Sequence, residues 1–356
     1  MGEIDRVVRI GNIELGTGRK PFIVAEAGVN HNGEIEKAIE MVRVAKEAGA
    51  SAVKFQTFKA EEFVSDRNQM YTYLSQGQEV TEPMFDMFKR LEFTVSEWNI
   101  IKQACEDMDI MFLSTPQNIS DFEFISSLGV KAIKVGSDDF TNLPLLARYG
   151  QSGLPMIVSC GMADMAEVHA ALETIGTFRG HPTVLLLCTS QYPTPPENVH
   201  LRKIRTLQDA FPLPNLCIGF SDHSVGITAS TVAAGLGACF FEKHFTLDRG
   251  LAGPDHWFSE DPESLKEWVR SIQTAFIMLG NGVIKPTEEE LAMRNIARRS
   301  IVALKDIGPN EELTLNNIGA MRPGTGLPPA FLNSIMGRLS NKAIPRGSQI
   351  DWRDLQ

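Results

Sequence analysis

Two short stretches hold the residues best suited to chemistry: "SDHSVG" at 221–226 and "EKHFTLD" at 242–248. Each sets a histidine beside an acidic residue, just after a run of small and apolar residues. His223 follows Asp222, and His244 comes two residues after Glu242. Imidazole nitrogens ligate divalent cations, and carboxylates orient such ligands or move protons. Two histidines so far apart in sequence make no ligand motif by themselves, and burial at two strand ends is the simpler account of them. The choice depends on what else reaches the same place.

The positioning elements are legible from residue 21 onward. Apolar runs rich in β-branched residues recur at 21–30, 51–58, 109–116, 131–139, 155–162, 183–193, 216–224 and 238–247. They are apolar almost without interruption, as parallel strands covered on both faces are. Helical patterns lie between them. In "EIEKAIEMVRVAKEAGA" the residues Ile35, Ala38, Ile39, Val42 and Ala45 make one stripe, and Gly49 is a stop signal. Similar stripes run through 96–107, 119–128, 164–176, 199–210, 226–236 and 262–280. Eight strand–helix units in about 260 residues predict an α/β fold of the (β/α)8 TIM-barrel type. A doubly wound open sheet would show fewer units and a Gly-rich turn after its first strand.

Each run turns polar at its C-terminal end. Glu26 stands there with Asn30 and His31, Lys54 with Gln56, Ser114 with Thr115, and Lys134 with Ser137. Ser159 follows, then Ser190 with Tyr192, Ser221 with Asp222 and His223, and Glu242 with His244. In a barrel these ends converge on the face that holds active sites. Packing alone would not ask for them, since an unpaired buried charge costs several kcal/mol. Such company favours a metal or catalytic use for the histidines.

The chain of 356 residues has a net charge of −10, which advertises no basic surface for nucleic acid. Its five cysteines, Cys105, Cys160, Cys188, Cys217 and Cys239, have no paired spacing and read as reduced thiols. The N-terminal "MGEIDRVVRIGN" lacks an apolar signal core, and no apolar run approaches a membrane span. A cytoplasmic location without a membrane partner is expected. The barrel domain is expected over 1–285. A solvated helical linker follows at 286–297, and a small module of short strands and turns occupies 298–356.

The motifs "AEAGVNHNG", "KFQTF", "STP", "KVGSDD", "SCGM", "CTSQYPTP", "GFSDHS", "EKHFTLD" and "GPDH" resemble those of the sialic acid synthases. The C-terminal "RRSIVALKDI" and "RPGTGLPP" resemble that family's SAF, or antifreeze-like, domain. The resemblance runs in order along nearly the whole chain. It implies a transferase that condenses phosphoenolpyruvate with an N-acylated mannose-type sugar to give a nonulosonic acid. N-acetylneuraminate is the expected product, with N,N'-diacetyllegionaminate or pseudaminate as alternatives.

By the same resemblance Lys54, Lys134, Ser137, Ser159 and Ser221 clamp phosphoenolpyruvate, and Ser114 is a further substrate contact. Fixed cations and hydroxyl donors suit an anion with a carboxylate and a phosphate. His223 and His244 match a metal pair, for which Mn2+ is expected and Mg2+ or Co2+ are possible. Glu26 matches a position that handles water and protons, Asp255 in "GPDH" an acid near metal and sugar, and Glu242 an orienting carboxylate. Gln56, Ser190 and Tyr192 are expected to face the sugar. A domain-swapped homodimer is implied, with Arg322 reaching the sugar site of the other subunit. Departures from the family pattern at Leu187, Ser190 and 257–262 bear on the choice of sugar. A metal-dependent aldolase or hydrolase on the same barrel would explain the histidines and carboxylates. It would explain neither the two lysines nor the C-terminal module.

Overall fold

A computed structural model describes residues 4–356. Met1–Glu3, part of the N-terminal stretch read above, lie outside the described residues. The chain forms two compact units, Met1–Gly280 and Asn281–Gln356.

The first unit opens with a small antiparallel hairpin of β1 (Val7–Ile10) and β2 (Ile13–Gly16). The barrel then begins with β3 (Phe22–Gly28), α1 (Ile35–Glu47) and β4 (Ala52–Thr57). A long excursion follows: α2 (Ala60–Phe63), a second hairpin of β5 (Met70–Ser75) and β6 (Gln78–Pro83), α3 (Met84–Leu91) and α4 (Val95–Asp107). Regular alternation resumes with β7 (Met111–Pro116), α5 (Ile119–Ser127), β8 (Ile133–Val135), α6 (Leu143–Gly150), β9 (Met156–Ser159) and α7 (Met165–Ile175). It continues through β10 (Thr183–Cys188), α8 (Pro196–Val199), α9 (Lys203–Ala210), β11 (Leu216–Asp222), α10 (Thr228–Gly235) and β12 (Phe240–His244). It closes with α11 (Pro262–Leu279).

Eight parallel strands hydrogen-bond in the order β7-β4-β3-β12-β11-β10-β9-β8. The two ends of that order pack side by side, so the sheet is a nearly closed barrel. Strand parity sorts the core. Inward residues such as Val24, Ala52, Leu113, Ile157, Val184 and Phe240 fill the lower barrel, above a plug of Val8, Ile10 and Leu15 from the first hairpin. Their strand neighbours Ile23, Val53, Phe112, Val158, Leu185 and Phe241 face the helices instead. Thr94 with Glu97 and Asp164 with Glu167 form capping boxes that start α4 and α7.

The expected strand at 131–139 shrinks to three residues, because the chain turns off at Gly136 toward the cavity. Helix α6 and both hairpins are elements that the apolar rhythm did not mark. All five cysteines are buried and unpaired. Among the described residues no helix is long and apolar enough to cross a membrane.

The second unit contains α12 (Glu288–Ala297), an antiparallel pair of β13 (Ser300–Ala303) and β14 (Ile318–Met321), and α13 (Leu332–Ile335). Ile301, Ile307, Leu313, Ile318, Ile335, Ile344 and Ile350 make its own small core.

Candidate active site

Above the apolar layer the inward positions turn polar and line an open cavity of about 590 Å³. Its floor is a charge cluster. Lys54 Nζ lies 3.0 Å from Glu26 Oε2 and 3.4 Å from Glu242 Oε2, and donates to Thr115 Oγ1 at 3.2 Å. Lys134 Nζ donates to Ser159 Oγ at 2.8 Å and stands 3.6 Å from Glu242 Oε1, which accepts from Ser221 Oγ at 3.1 Å. All these side chains are buried.

Strand register explains the meeting. Glu26 pairs with Lys54 across β3 and β4, and Ser221 with Glu242 across β11 and β12. The β3–β4 ladder slips between Glu26 and Gly28, and Gly28 takes a φ of +53°. A Cβ there would stand 3.4 Å from Glu26 Oε1 and 3.6 Å from both Gln56 Nε2 and His244 Nδ1.

Burial pushes Glu26 up to about 7, with Lys54 opposing and Glu242 reinforcing the shift. Glu242 behaves oppositely. Burial works against its charge, but Lys134 and Lys54 hold it at about 2. One carboxyl of the floor is therefore poised to exchange a proton near neutrality, while the other stays ionised.

Two histidines stand one layer higher. His223 Nδ1 donates to Thr189 O at 2.8 Å, which orients the ring and makes Nε2 the nitrogen left to ligate once deprotonated. Burial works against its charge, but Cys188 and Thr189 beside it raise its pKa. His244 Nδ1 has no hydrogen-bond partner although it is buried, and Asp255 Oδ2 is 3.9 Å away. Burial, with His223 and Lys54 nearby, holds His244 well below the usual imidazole range and so keeps it neutral. The two rings lie 5.6 Å apart, and Tyr192 packs on both at 4.1 and 5.8 Å. Burial pushes Asp255 up to about 6. Among the described residues no three His, Cys, Asp or Glu side chains form a closed cation cage. The donor set fits an open divalent site, with two imidazoles supplied by the protein and the remaining positions left to substrate and water.

Ser137, Ser190, Tyr192 and Gln56 also line this cavity. Ser137 Oγ accepts from Gly161 N at 3.0 Å, and a Cβ on Gly161 would lie 2.4 Å from Ser190 Oγ and 2.7 Å from Ser137 Oγ, so any side chain there would have to displace both hydroxyls. Arg322 is exposed in the second unit, just after β14.

Three readings from the sequence need correction. Ser114 does not line the cavity. It sits at an outward position on β7, hydrogen-bonded to Thr57 Oγ1 at 2.6 Å and donating to Phe55 O at 3.2 Å. Its neighbours Thr115 and Gln117 take the inward places. Asn30 and His31 are likewise absent from the lining: Asn30 Nδ2 donates to Phe245 O at 2.8 Å, and His31 stacks on Phe93 at 4.2 Å.

Asp222 also faces outward, despite its place beside His223. Its carboxylate accepts from Ser224 N, Ser224 Oγ and Ser230 Oγ at 2.9, 2.7 and 2.6 Å and lies 3.1 Å from Lys243 Nζ. Lys243 donates further to Ser224 O and Gly226 O, and Glu260 Oε1 stands 3.6 Å from it.

Sequence reasoning missed Tyr71 and Leu74 of the second hairpin, together with Asp138 and Cys188, all in the lining, whereas Trp257 and Phe258, also in the lining, come from the segment 257–262 that it had tied to the choice of sugar. The alternation in "MYTYLSQGQEVTEP" around a Gln-Gly turn is the signal that would have found the hairpin.

The NeuB family model matches residues 41–284, and the SAF domain model residues 298–356. The N,N'-diacetyllegionaminic acid synthase of Legionella pneumophila is 39% identical over 345 residues, which cover 96% of each chain. The human N-acetylneuraminate-9-phosphate synthase is 33% identical over 90% of this chain and 89% of its own. The crystal structure of the N-acetylneuraminic acid synthetase from Leptospira borgpetersenii superposes with a TM-score of 0.72 at 31% identity, covering 83% of this chain and 98% of the other.

Proposed function

The chain belongs to the NeuB family, the sialic acid synthases, and on that premise we propose that it condenses phosphoenolpyruvate with an N-acylated mannose-type sugar to a nonulosonic acid. The observation that supports this most directly is the buried floor, where Lys54 and Lys134 stand among Glu26, Glu242, Ser159 and Ser221. Two fixed ammoniums beside hydroxyl donors suit one small ligand with a phosphate and a carboxylate.

In the reaction the methylene carbon of phosphoenolpyruvate bonds to the aldehyde carbon of the open-chain sugar. Water then adds at the carbon bearing the phosphate, and inorganic phosphate leaves as that C–O bond breaks. Lys54 and Lys134 hold the two anionic groups and orient the attacking carbon. Glu26, titrating at about 7, takes the proton from the adding water. Glu242 stays ionised at about 2 and keeps both lysines charged and in place. Asp255, with Tyr192 and Gln56, orients the sugar above them. His223 and His244 would hold a divalent cation, Mn2+ before Mg2+ or Co2+, which when bound supplies Lewis-acid polarisation of the aldehyde oxygen.

The departures at Leu187, Ser190 and 257–262 bear on which sugar enters. N-acetylneuraminate is the product expected from the sequence. Resemblance to the Legionella legionaminic acid synthase at 39% identity favours a diacetamido-trideoxy sugar as a second reading. The test is phosphate release from phosphoenolpyruvate with N-acetylmannosamine, with its diacetamido-trideoxy counterparts, and with no sugar. Release that depends on one of these sugars, with a nonulosonic acid formed in equal amount, is the expected result. Release without sugar, or none with any of them, overturns the reading.

A further inference from the structure

The loop after β4 is built as an arm. Strands β5 and β6 pair only with each other, outside the barrel sheet, and turn at Gln76 and Gly77 with φ of +52° and +77°. A lone two-stranded hairpin is marginally stable in water. This one is fastened at both ends. At its base Tyr73 Oη donates to Glu82 Oε1 at 2.6 Å, and Arg90 of α3 pairs with Glu82. At its tip Gln76 Nε2 donates to Gly250 O at 2.8 Å, and Ser75 Oγ accepts from Gly253 N at 3.1 Å. Strand β5 also packs against the turn His256–Phe258. The arm thus runs from the end of β4 to the loop after β12, the loop that holds Asp255.

Tyr71 and Tyr73 project from the same face of β5 with rings 5.8 Å apart, and both line the cavity. Their hydroxyls differ. That of Tyr73 is committed to Glu82, whereas among the described residues none bonds to Tyr71 Oη, and Tyr71 is 38% exposed. A ring with a free hydroxyl, on a fastened arm over a polar cavity, presents what a sugar needs: an apolar face for its C–H groups and one donor for orientation.

Resting on the functional reading above, we propose that Tyr71 is a specificity-determining residue for the acceptor sugar. Its ring covers an apolar face of the sugar, and its hydroxyl donates to a hydroxyl or acetamido oxygen on the side away from phosphoenolpyruvate. Phosphoenolpyruvate takes no part in this contact, because its anionic groups are drawn to Lys54 and Lys134 at the floor.

The experiment is steady-state kinetics in both substrates for the unsubstituted protein, Tyr71→Phe and Tyr71→Ala, with a thermal melt of each. Loss of one neutral hydrogen bond should raise the sugar's KM about fivefold in Tyr71→Phe, with the KM for phosphoenolpyruvate unchanged. Tyr71→Ala should raise it further. A sugar KM unchanged in both variants overturns the assignment. So does a phosphoenolpyruvate KM that rises in step with the sugar's, since that is the mark of a merely structural role. If the unsubstituted protein consumes phosphoenolpyruvate with no acylated amino sugar, the functional reading itself falls and this assignment falls with it.

Discussion

Two buried charge clusters lie back to back across β11 and β12. The inner one joins Glu242 and Ser221 to Lys54, Lys134 and Glu26; the outer one joins Lys243 and Asp222 to Glu260, Ser224 and Ser230. Both bury unlike charges at similar distances. They differ in satisfaction. Every oxygen of Asp222 is engaged, and Trp268 Nε1 completes the outer network by donating to Ser230 Oγ at 2.9 Å. Inside, Glu26 Oε2, Glu242 Oε2 and His244 Nδ1 receive no well-directed hydrogen bond. A satisfied network holds structure, while an unsatisfied one under an open cavity is arranged for something that arrives later.

Breaking the inner cluster should give the largest effect. Lys54→Met is predicted to lower kcat/KM for phosphoenolpyruvate by about a thousandfold or more, some 4 kcal/mol of lost transition-state binding. A variant that keeps more than a tenth of the parent kcat/KM would count against the anion clamp.

Breaking the outer cluster should act on stability instead. Asp222→Ala strands Lys243 and three donors in the interior, which is expected to cost about 3 kcal/mol in chemical denaturation. The folded fraction should retain the parental KM for phosphoenolpyruvate. A loss below about 1 kcal/mol, or a shifted KM, would erase the distinction between the clusters.

The smallest effect is a pH dependence. Glu26 rises from its ordinary 4.5 to about 7, so the folded state binds its proton more tightly than the unfolded chain does. That contribution is fully present below 4.5 and is lost as pH rises through 7. Glu26→Gln removes it, so the melting temperature of the parent should fall relative to that of the variant between those values. Glu242, held at about 2, contributes stability of its own that is lost only as pH falls below 4.5, so above that pH Glu242→Gln should act through Glu26 alone: without the neighbouring carboxylate Glu26 rises less, and the slope should shrink but not vanish. Melts that shift in parallel for parent and Glu26→Gln would remove Glu26 as the proton-exchanging group.

The barrel was legible because strands buried on both faces must be apolar nearly throughout, and that signal is strong. Helix α6 was not, since "LPLLARYG" opens on apolar residues set side by side around a proline, without the spaced stripe that marks α1. The arm of β5 and β6 is half exposed, so it lacks the continuous apolar run that marks barrel strands. Within the site, residue type identified Glu26, Lys54, Lys134, Glu242 and the histidines as out of place in a core. Residue type cannot report parity, however. Ser114 and Thr115 are both small and hydroxylated, and only the register of β7 against β4 decides which one faces in. The same blindness made Asp222 look like a partner of His223, although the pleat turns the two to opposite sides.

That alternation also bears on how the chain finds its pairing. Were β12 to slip by one residue, Lys243 would turn inward beside Lys54 and Lys134, three ammoniums with Glu26 as their one carboxylate. Glu242 would turn outward against Asp222 and Glu260, gathering three carboxylates. Burying like charges together costs several kcal/mol for each uncompensated ion, far more than the few contacts that a shifted apolar strand would lose. The adjacent pair Glu242–Lys243 thus works as a polarity key. It fixes the register of β12 during folding at the one barrel strand that must present both a carboxylate and an imidazole to the cavity.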